Sequence, residues 1–238
     1  MEITVENLIK KGKYIIKNNI TLKKTIYPVM FKLSKKLNYR QILIKKYGLD
    51  VLKLVDKIAN EHNIPYYVDY GTLLGFIRDG NFIKYDDDID FSILPTQNSI
   101  LAFAKGLLNN GFAFDLAHLA DNNRFIEFRV RYREISIDFF LPSIKDGFIR
   151  QLYCQCELKY PLKPLIRYSI TNFEVNILEN PEEHLEWRYG ETWKTPIQKF
   201  DDWKQKPKGF LGEKYYEQEE ITDYNIFCSL IDKYNKIQ

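Results

Sequence analysis

Residues 88–93, Asp-Ile-Asp-Phe-Ser-Ile, restrict the possible folds of this chain more than any other stretch. Alternation of polar and apolar residues marks a strand with one buried face, because successive side chains point to opposite sides of the backbone. Ile89, Phe91 and Ile93 share the core face; Asp88, Asp90 and Ser92 share the other. Two carboxylates on one face, about 7 Å apart at Cα, repel each other. A divalent cation between them removes the repulsion, and hard oxygen donors suit Mg2+, with Mn2+ as the alternative.

The same pattern returns in Ile135-Ser136-Ile137-Asp138-Phe139. Here Asp138 faces away from three apolar residues. A neighbouring strand can bring it beside Asp88 and Asp90, and three convergent carboxylates suit one- or two-metal phosphoryl chemistry. Asp86 and Asp87 extend the acidic run and are read as electrostatic support. The alternative is a solvated acidic turn with Asp138 on an exposed edge strand.

Upstream, Tyr66 to Asp69 reads as a short strand and Gly71 breaks it. Thr72 can cap a short helix over residues 73–78. A helix start offers unpaired N–H groups and the positive end of a dipole, which makes Gly71 and Thr72 a candidate phosphate cradle. Arg78 ends that helix and can reach a phosphate oxygen or pair with Asp79 or Asp86. In 124–132 the residues Ile126, Phe128 and Val130 form an apolar face, and Glu127, Arg129 and Arg131 a polar one. If that face borders the aspartates, Arg129 is a candidate phosphate clamp; otherwise it is solvated.

Elsewhere, Leu52, Val55, Ile58 and Ala59 predict a helix over 49–62, ended by Ile64-Pro65. Asp79-Gly80-Asn81 is a turn, 89–94 a strand ended by Pro95, and 99–108 a helix stopped at Asn109-Asn110-Gly111. Strands follow at 112–118, 124–132 and 135–141, the last two as a hairpin. Only short elements can be placed in the Tyr-, Trp- and Pro-rich stretch 143–212, and 217–235 reads as helical. This mixture predicts an α+β fold: a mixed β-sheet flanked by helices, with a basic helical arm before it.

The charge of +3 is unevenly spread. Residues 1–46 hold twelve Lys or Arg and two Glu, a balance of about +10 that leaves about −7 for the remainder. Leu22, Ile26, Met30, Leu33 and Leu37 recur at helical spacing among lysines, with Pro28 kinking the segment. Residues 10–46 can therefore lie on an anionic membrane face, or pack on the body with a solvated lysine face. No recognition motif supports nucleic acid. The expected organisation is an arm over 1–46, a catalytic domain over 47–212 and a C-terminal helical segment over 213–238. No stretch reaches the roughly 18 apolar residues of a spanning helix, and the N-terminus lacks a secretory apolar run. Cys154, Cys156 and Cys228 are read as thiols, which suggests a reducing compartment. The expected location is cytoplasmic, with a peripheral contact on the inner membrane face.

Gly71-Thr72-Leu73-Leu74-Gly75, then Arg78, then Asp86-Asp87-Asp88-Ile89-Asp90, resemble the signature of the LicD family. That family includes bacterial phosphocholine transferases and, more distantly, fukutin and fukutin-related protein. It is similar in turn to polymerase-β-like nucleotidyltransferases. Tyr189-Gly190-Glu191-Thr192-Trp193-Lys194-Thr195-Pro196, preceded by Asn180-Pro181-Glu182-Glu183-His184-Leu185, resembles a second family block. The resemblance spans about residues 50–200. It implies a nucleotidyltransferase-like fold and transfer of phosphocholine, or a related phospho-alcohol, from a CDP-linked donor to a hydroxyl of a cell-surface or lipid-linked glycan, releasing CMP. By the same resemblance Asp88 and Asp90 hold Mg2+ against the donor phosphates. Asp138 completes the metal site or takes the acceptor's proton, and Gly71 and Thr72 cradle a phosphate. A zinc element like that of fukutin-related protein has no match here, so no zinc is expected. CDP-ribitol and CDP-glycerol are alternative donors. Two further classes are a nucleotidyltransferase acting on a small molecule with NTP, and a non-catalytic glycan-binding module. Trp187, Trp193 and Trp203 either line the substrates or pack in the core.

Overall fold

The computed structural model describes residues 39–84, 86–120, 124–153, 156–196, 208–213, 216 and 218–235. The arm before Tyr39, and with it most of the proposed membrane-contacting segment, lies outside the described residues, as do Cys154 and Trp203. Helix α1 (Tyr39–Glu61) leads into strand β1 (Tyr66–Val68), helix α2 (Tyr70–Asp79) and strand β2 (Asp88–Ile93). Helix α3 (Ile100–Asn109), and strands β3 (Ala113–Ala120), β4 (Arg124–Tyr132) and β5 (Ile135–Phe140) complete the first half. After them come β6 (Ser143–Lys145), β7 (Phe148–Tyr153), β8 (Cys156–Pro161), β9 (Leu165–Ile170), β10 (Phe173–Leu178) and helix α4 (Pro181–Tyr189). Strands β11 (Phe210–Glu213) and β12 (Glu219–Ile221) precede the last helix, α5 (Tyr224–Asn235).

The fold is α+β. Its main sheet has the order β1-β2-β5-β4-β3-β12. Only β2 and β5 pair in parallel; every other ladder in it is antiparallel. The crossover between them consists of α3, β3 and β4, enough chain for a parallel connection. Ile89, Phe91, Ile137, Phe139, Phe128 and Val130 form one buried face with Val51, Leu52, Val55 and Ile58 of α1, Phe103 of α3 and Phe227 of α5. Phe139 stacks between Phe91 (centroids 5.2 Å) and Phe128 (4.9 Å), so the middle of the sheet is fixed by aromatic packing on the side away from the aspartates.

Several boundaries differ from the sequence expectation. Helix α1 starts ten residues earlier than expected, because Leu43 and Ile44 continue its buried stripe. Helix α2 starts at Tyr70, and its N-cap is Asp69 rather than Thr72. Asp69 ends β1 in an extended conformation and accepts the Tyr70 N–H, while Tyr70 takes a positive φ of 46°. The stretch 143–196 is mostly strand: β6, β7 and β8 join β11 in a four-stranded sheet of order β11-β8-β7-β6, and β9 pairs with β10 as a hairpin. The C-terminal stretch begins with β12 on the edge of the main sheet before turning helical at Tyr224.

Candidate active site

The alternation in β2 and β5 puts acidic groups on the face opposite the phenylalanine core. The parallel register sets Asp90 directly beside Asp138, and the antiparallel β4 sets Arg129 beside Asp138. A row Asp90–Asp138–Arg129 thus crosses three strands, with Asp88 one step along β2. One carboxylate oxygen from each of Asp88, Asp90 and Asp138 lies within 4.8 Å of the other two. A second acidic trio, Asp86, Asp87 and Asp88, meets the same distance and shares Asp88. Asp90 and Asp138 are 7% and 3% exposed, which matters because such charges keep little water of their own.

Burial and mutual repulsion set the protonation behaviour. Desolvation raises the carboxyls of Asp88 and Asp90 well above the usual range, and each is pushed further by the neighbouring aspartates. Burial carries Asp86 up to about 7, and its Oδ2 has no hydrogen-bond partner among the described residues. Asp138 is raised too, by burial, although Arg129 opposes the shift. Buried carboxylates held this close, one with an orphaned oxygen, fit a divalent cation with oxygen ligands. With all three ionised and Arg129 counted, the trio of Asp88, Asp90 and Asp138 leaves −2, to which the adjoining Asp86 and Asp87 add, and a divalent ion offsets it.

Arg129 donates two hydrogen bonds to Asp138, from Nε to Oδ1 and from Nη2 to Oδ2, the latter at 2.8 Å. Its guanidinium therefore orients a site carboxylate and offsets its charge. Gly71 and Thr72 also serve the acidic cluster. The Gly71 N–H donates to Asp90 Oδ2 at 3.2 Å, and the Thr72 hydroxyl accepts the Asp90 N–H at 2.9 Å. A Cβ on Gly71 would stand 2.5 Å from Asp86 Oδ2, so the first turn of α2 abuts the acidic loop directly. The structure thus gathers Gly71, Thr72, Asp88, Asp90, Arg129 and Asp138 in one place. Arg78 instead forms a two-pronged pair with Asp79, at 2.8 and 2.7 Å. Trp193 is buried in the main core, and Trp187 packs on a smaller cluster with Tyr67, Ile149 and Tyr160.

Sequence reading missed a buried polar group behind the site. Asp69, fully buried, receives His184 Nε2 at 2.9 Å, Arg188 Nη2 at 3.0 Å and Ser92 Oγ at 2.7 Å. The guanidinium positive charge at Arg188 holds the Asp69 carboxyl well below the usual range despite burial, which alone would raise it. The spacing of His184 and Arg188, one helical turn apart on α4, was the available signal.

Comparison with known proteins finds the following similarities. Residues 63–177 match the family model described as LicD/FKTN/FKRP, nucleotidyltransferase domain. The human protein named ribitol-5-phosphate transferase FKTN is 25% identical over 175 residues, covering 70% of this chain and 37% of that protein. An uncharacterized protein of Rickettsia typhi is 27% identical over 145 residues, covering 59% of this chain and 45% of its own length. The chain thus spans less than half the length of the relatives described. A structure of ANT(2″)-Ia in complex with adenylyl-2″-tobramycin superposes with a TM-score of 0.40 at 13% identity, over 60% of this chain and 75% of that one.

Proposed function

Residues 63–177 belong to the LicD family, and from that premise we propose that the chain transfers a phospho-alcohol from a CDP-linked donor to a glycan hydroxyl, releasing CMP. The convergence of Asp88, Asp90 and Asp138 from two parallel strands carries this reading. Those three carboxylates are the ligands proposed for Mg2+ or Mn2+, which when bound neutralises charge on the donor phosphates. The chain's own contribution is alignment and a fixed field: Arg129 holds Asp138, and the start of α2 holds Asp90. The alternative role proposed for Asp138, in place of metal ligation, is to accept the acceptor's proton as the new phosphoester forms. Ribitol 5-phosphate is the first candidate for the transferred group, on the name of the fukutin relatives; phosphocholine and glycerol phosphate are the others.

The test is CMP release from a panel of CDP-alcohols, with Mg2+ and with or without glycan acceptors. Release from one donor, lost in Asp90→Asn, supports the reading and names the alcohol. Pyrophosphate release from an NTP with no CMP from any CDP-alcohol would replace it by nucleotidyl transfer. The arm over 1–46 and its contact with anionic membrane belong to the same proposal, as a means of keeping the enzyme near a lipid-linked acceptor. Among the described residues, no helix is long and apolar enough to cross a membrane.

A further inference from the structure

Asp90 is gripped by three residues at the start of α2: its cap Asp69, Gly71 and Thr72. The Asp69 N–H donates to the Asp90 carbonyl at 3.1 Å, the Gly71 N–H to its carboxylate at 3.2 Å, and the Asp90 N–H to the Thr72 hydroxyl at 2.9 Å. Both the backbone and the side chain of this aspartate therefore depend on the conformation of residues 69–72.

That conformation is not one the local sequence favours. Tyr70 sits at φ 46°, a region costly for a residue with a bulky side chain. Two things impose it. The Arg188 guanidinium lies 3.6 Å over the Tyr70 ring, while Phe140 of β5 lies 4.4 Å from the same ring. The Asp69 carboxylate is meanwhile fixed by Arg188, His184 and Ser92, with Tyr160 at 3.4 Å from Oδ2. Ser92 lies two residues beyond Asp90 on β2, so the cluster ties the same strand twice. A buried ion pair contributes little net stability compared with apolar packing of the same volume, so stability alone does not account for this arrangement. None of Asp69, His184 or Arg188 is among the clustered carboxylates of the candidate metal site.

We propose that Asp69, His184 and Arg188 are positioning residues for Asp90: α4 sets the path of residues 69–72, and that path aims the Asp90 carboxylate at the cation. This rests on the metal-site reading above. It assigns helix α4 a part in metal binding through the strained turn at Tyr70.

The test is Mn2+ affinity, read by the electron paramagnetic resonance signal of unbound Mn2+, with no donor present. Wild type, Asp88→Asn, Arg188→Lys and the double variant Asp69→Asn with Arg188→Gln are compared, each with a melting curve in EDTA. The double variant removes both charges together, so neither is left buried alone. Arg188→Lys keeps the charge and loses the planar fork. The expected result is Mn2+ binding weakened about 10- to 100-fold in whichever of the two remains folded, well below its melting temperature. A purely structural role would lower the melting temperature and leave Mn2+ affinity alone. A folded variant that binds Mn2+ as wild type does overturns the positioning role while leaving the metal site intact. Wild type binding no better than Asp88→Asn overturns the metal site itself, and the positioning role with it.

Discussion

Asp88→Asn should make the metal-free protein more stable and at the same time abolish its response to metal. Asp88 belongs to both acidic trios, so its carboxylate has Asp86, Asp87, Asp90 and Asp138 within 4.8 Å. Each such pair repels by about 3.5 kcal/mol at an effective dielectric constant of about 20. The full sum is never reached, because a carboxyl can take up a proton instead. That limits the penalty to about 1.4 kcal/mol per pH unit above its ordinary value, or about 5.7 kcal/mol at about pH 8. Arg129 offsets part of the field through Asp138. A net gain of about 2–4 kcal/mol on neutralisation remains, worth about 4–16 °C in melting temperature for a chain of this size. Asn keeps the shape of the side chain, so packing is conserved. The assay is thermal melting in EDTA and again in millimolar Mg2+, at about pH 8. Wild type should rise on adding Mg2+, whereas Asp88→Asn should start higher and stay put. A variant that melts lower than wild type in EDTA, yet gains as much from Mg2+, would refute the electrostatic account of the site.

Three further outcomes follow from the same structure. Burial, with Asp87 adding to it, pushes Asp86 up to about 7, and burial with the neighbouring aspartates raises Asp88 and Asp90; native values above the unfolded ones favour the protonated native state, so metal-free stability is fullest below roughly pH 4 and is lost as pH rises through the native values, about 7 for Asp86. Mg2+ should therefore raise the melting temperature more at about pH 8 than at about pH 5, and an equal effect at both would contradict the shifts. Gly75→Ala places a Cβ 2.5 Å from the Asn81 carbonyl and 2.9 Å from the Ile83 amide, both backbone atoms, and should cost about 1–3 kcal/mol in a denaturant titration. Removing residues 1–38, which keeps every described residue of α1, should weaken sedimentation with anionic liposomes, and unchanged sedimentation would remove the membrane role from the arm.

What could be read from sequence followed from how far each signal reaches along the chain. The period-2 pattern of 88–93 and 135–139 gave β2, β5 and the face that each aspartate occupies, because alternation is a property of neighbouring residues. The β4–β5 hairpin followed from the two-residue gap between its strands. Which strands are adjacent did not follow: the β2–β5 pairing joins residues nearly fifty apart, and only the register settles that Asp90 faces Asp138. The smaller sheet was missed although β8, Cys-Glu-Leu-Lys-Tyr-Pro, alternates, because its neighbour β7, Phe-Ile-Arg-Gln-Leu-Tyr, has no period-2 pattern to mark a partner strand. The N-cap was misplaced because Thr72 is a good cap by type, whereas a Tyr at positive φ is a poor guess from type alone. Asp69 and Arg188 are 119 residues apart, and nothing in either local segment marks the other.

The division of labour among the aspartates explains why the site needs support from so much of the chain. Carboxylates packed this closely push apart, so the native geometry must be imposed by groups that do not themselves gain from it. Asp138 is restrained by a guanidinium on the next strand, which also removes one unit of charge. Asp90 is restrained by amides and a hydroxyl, which hold it without removing charge. Had both restraints been cationic, the three carboxylates would retain a single net negative charge and bind a divalent ion weakly. With one cationic and one neutral restraint, two negative charges remain beside a polypeptide framework rigid enough to keep them together. That combination requires the neutral restraint to be stiff by itself, which is the part taken by the strained Tyr70 turn and the buried Asp69 cluster beneath it.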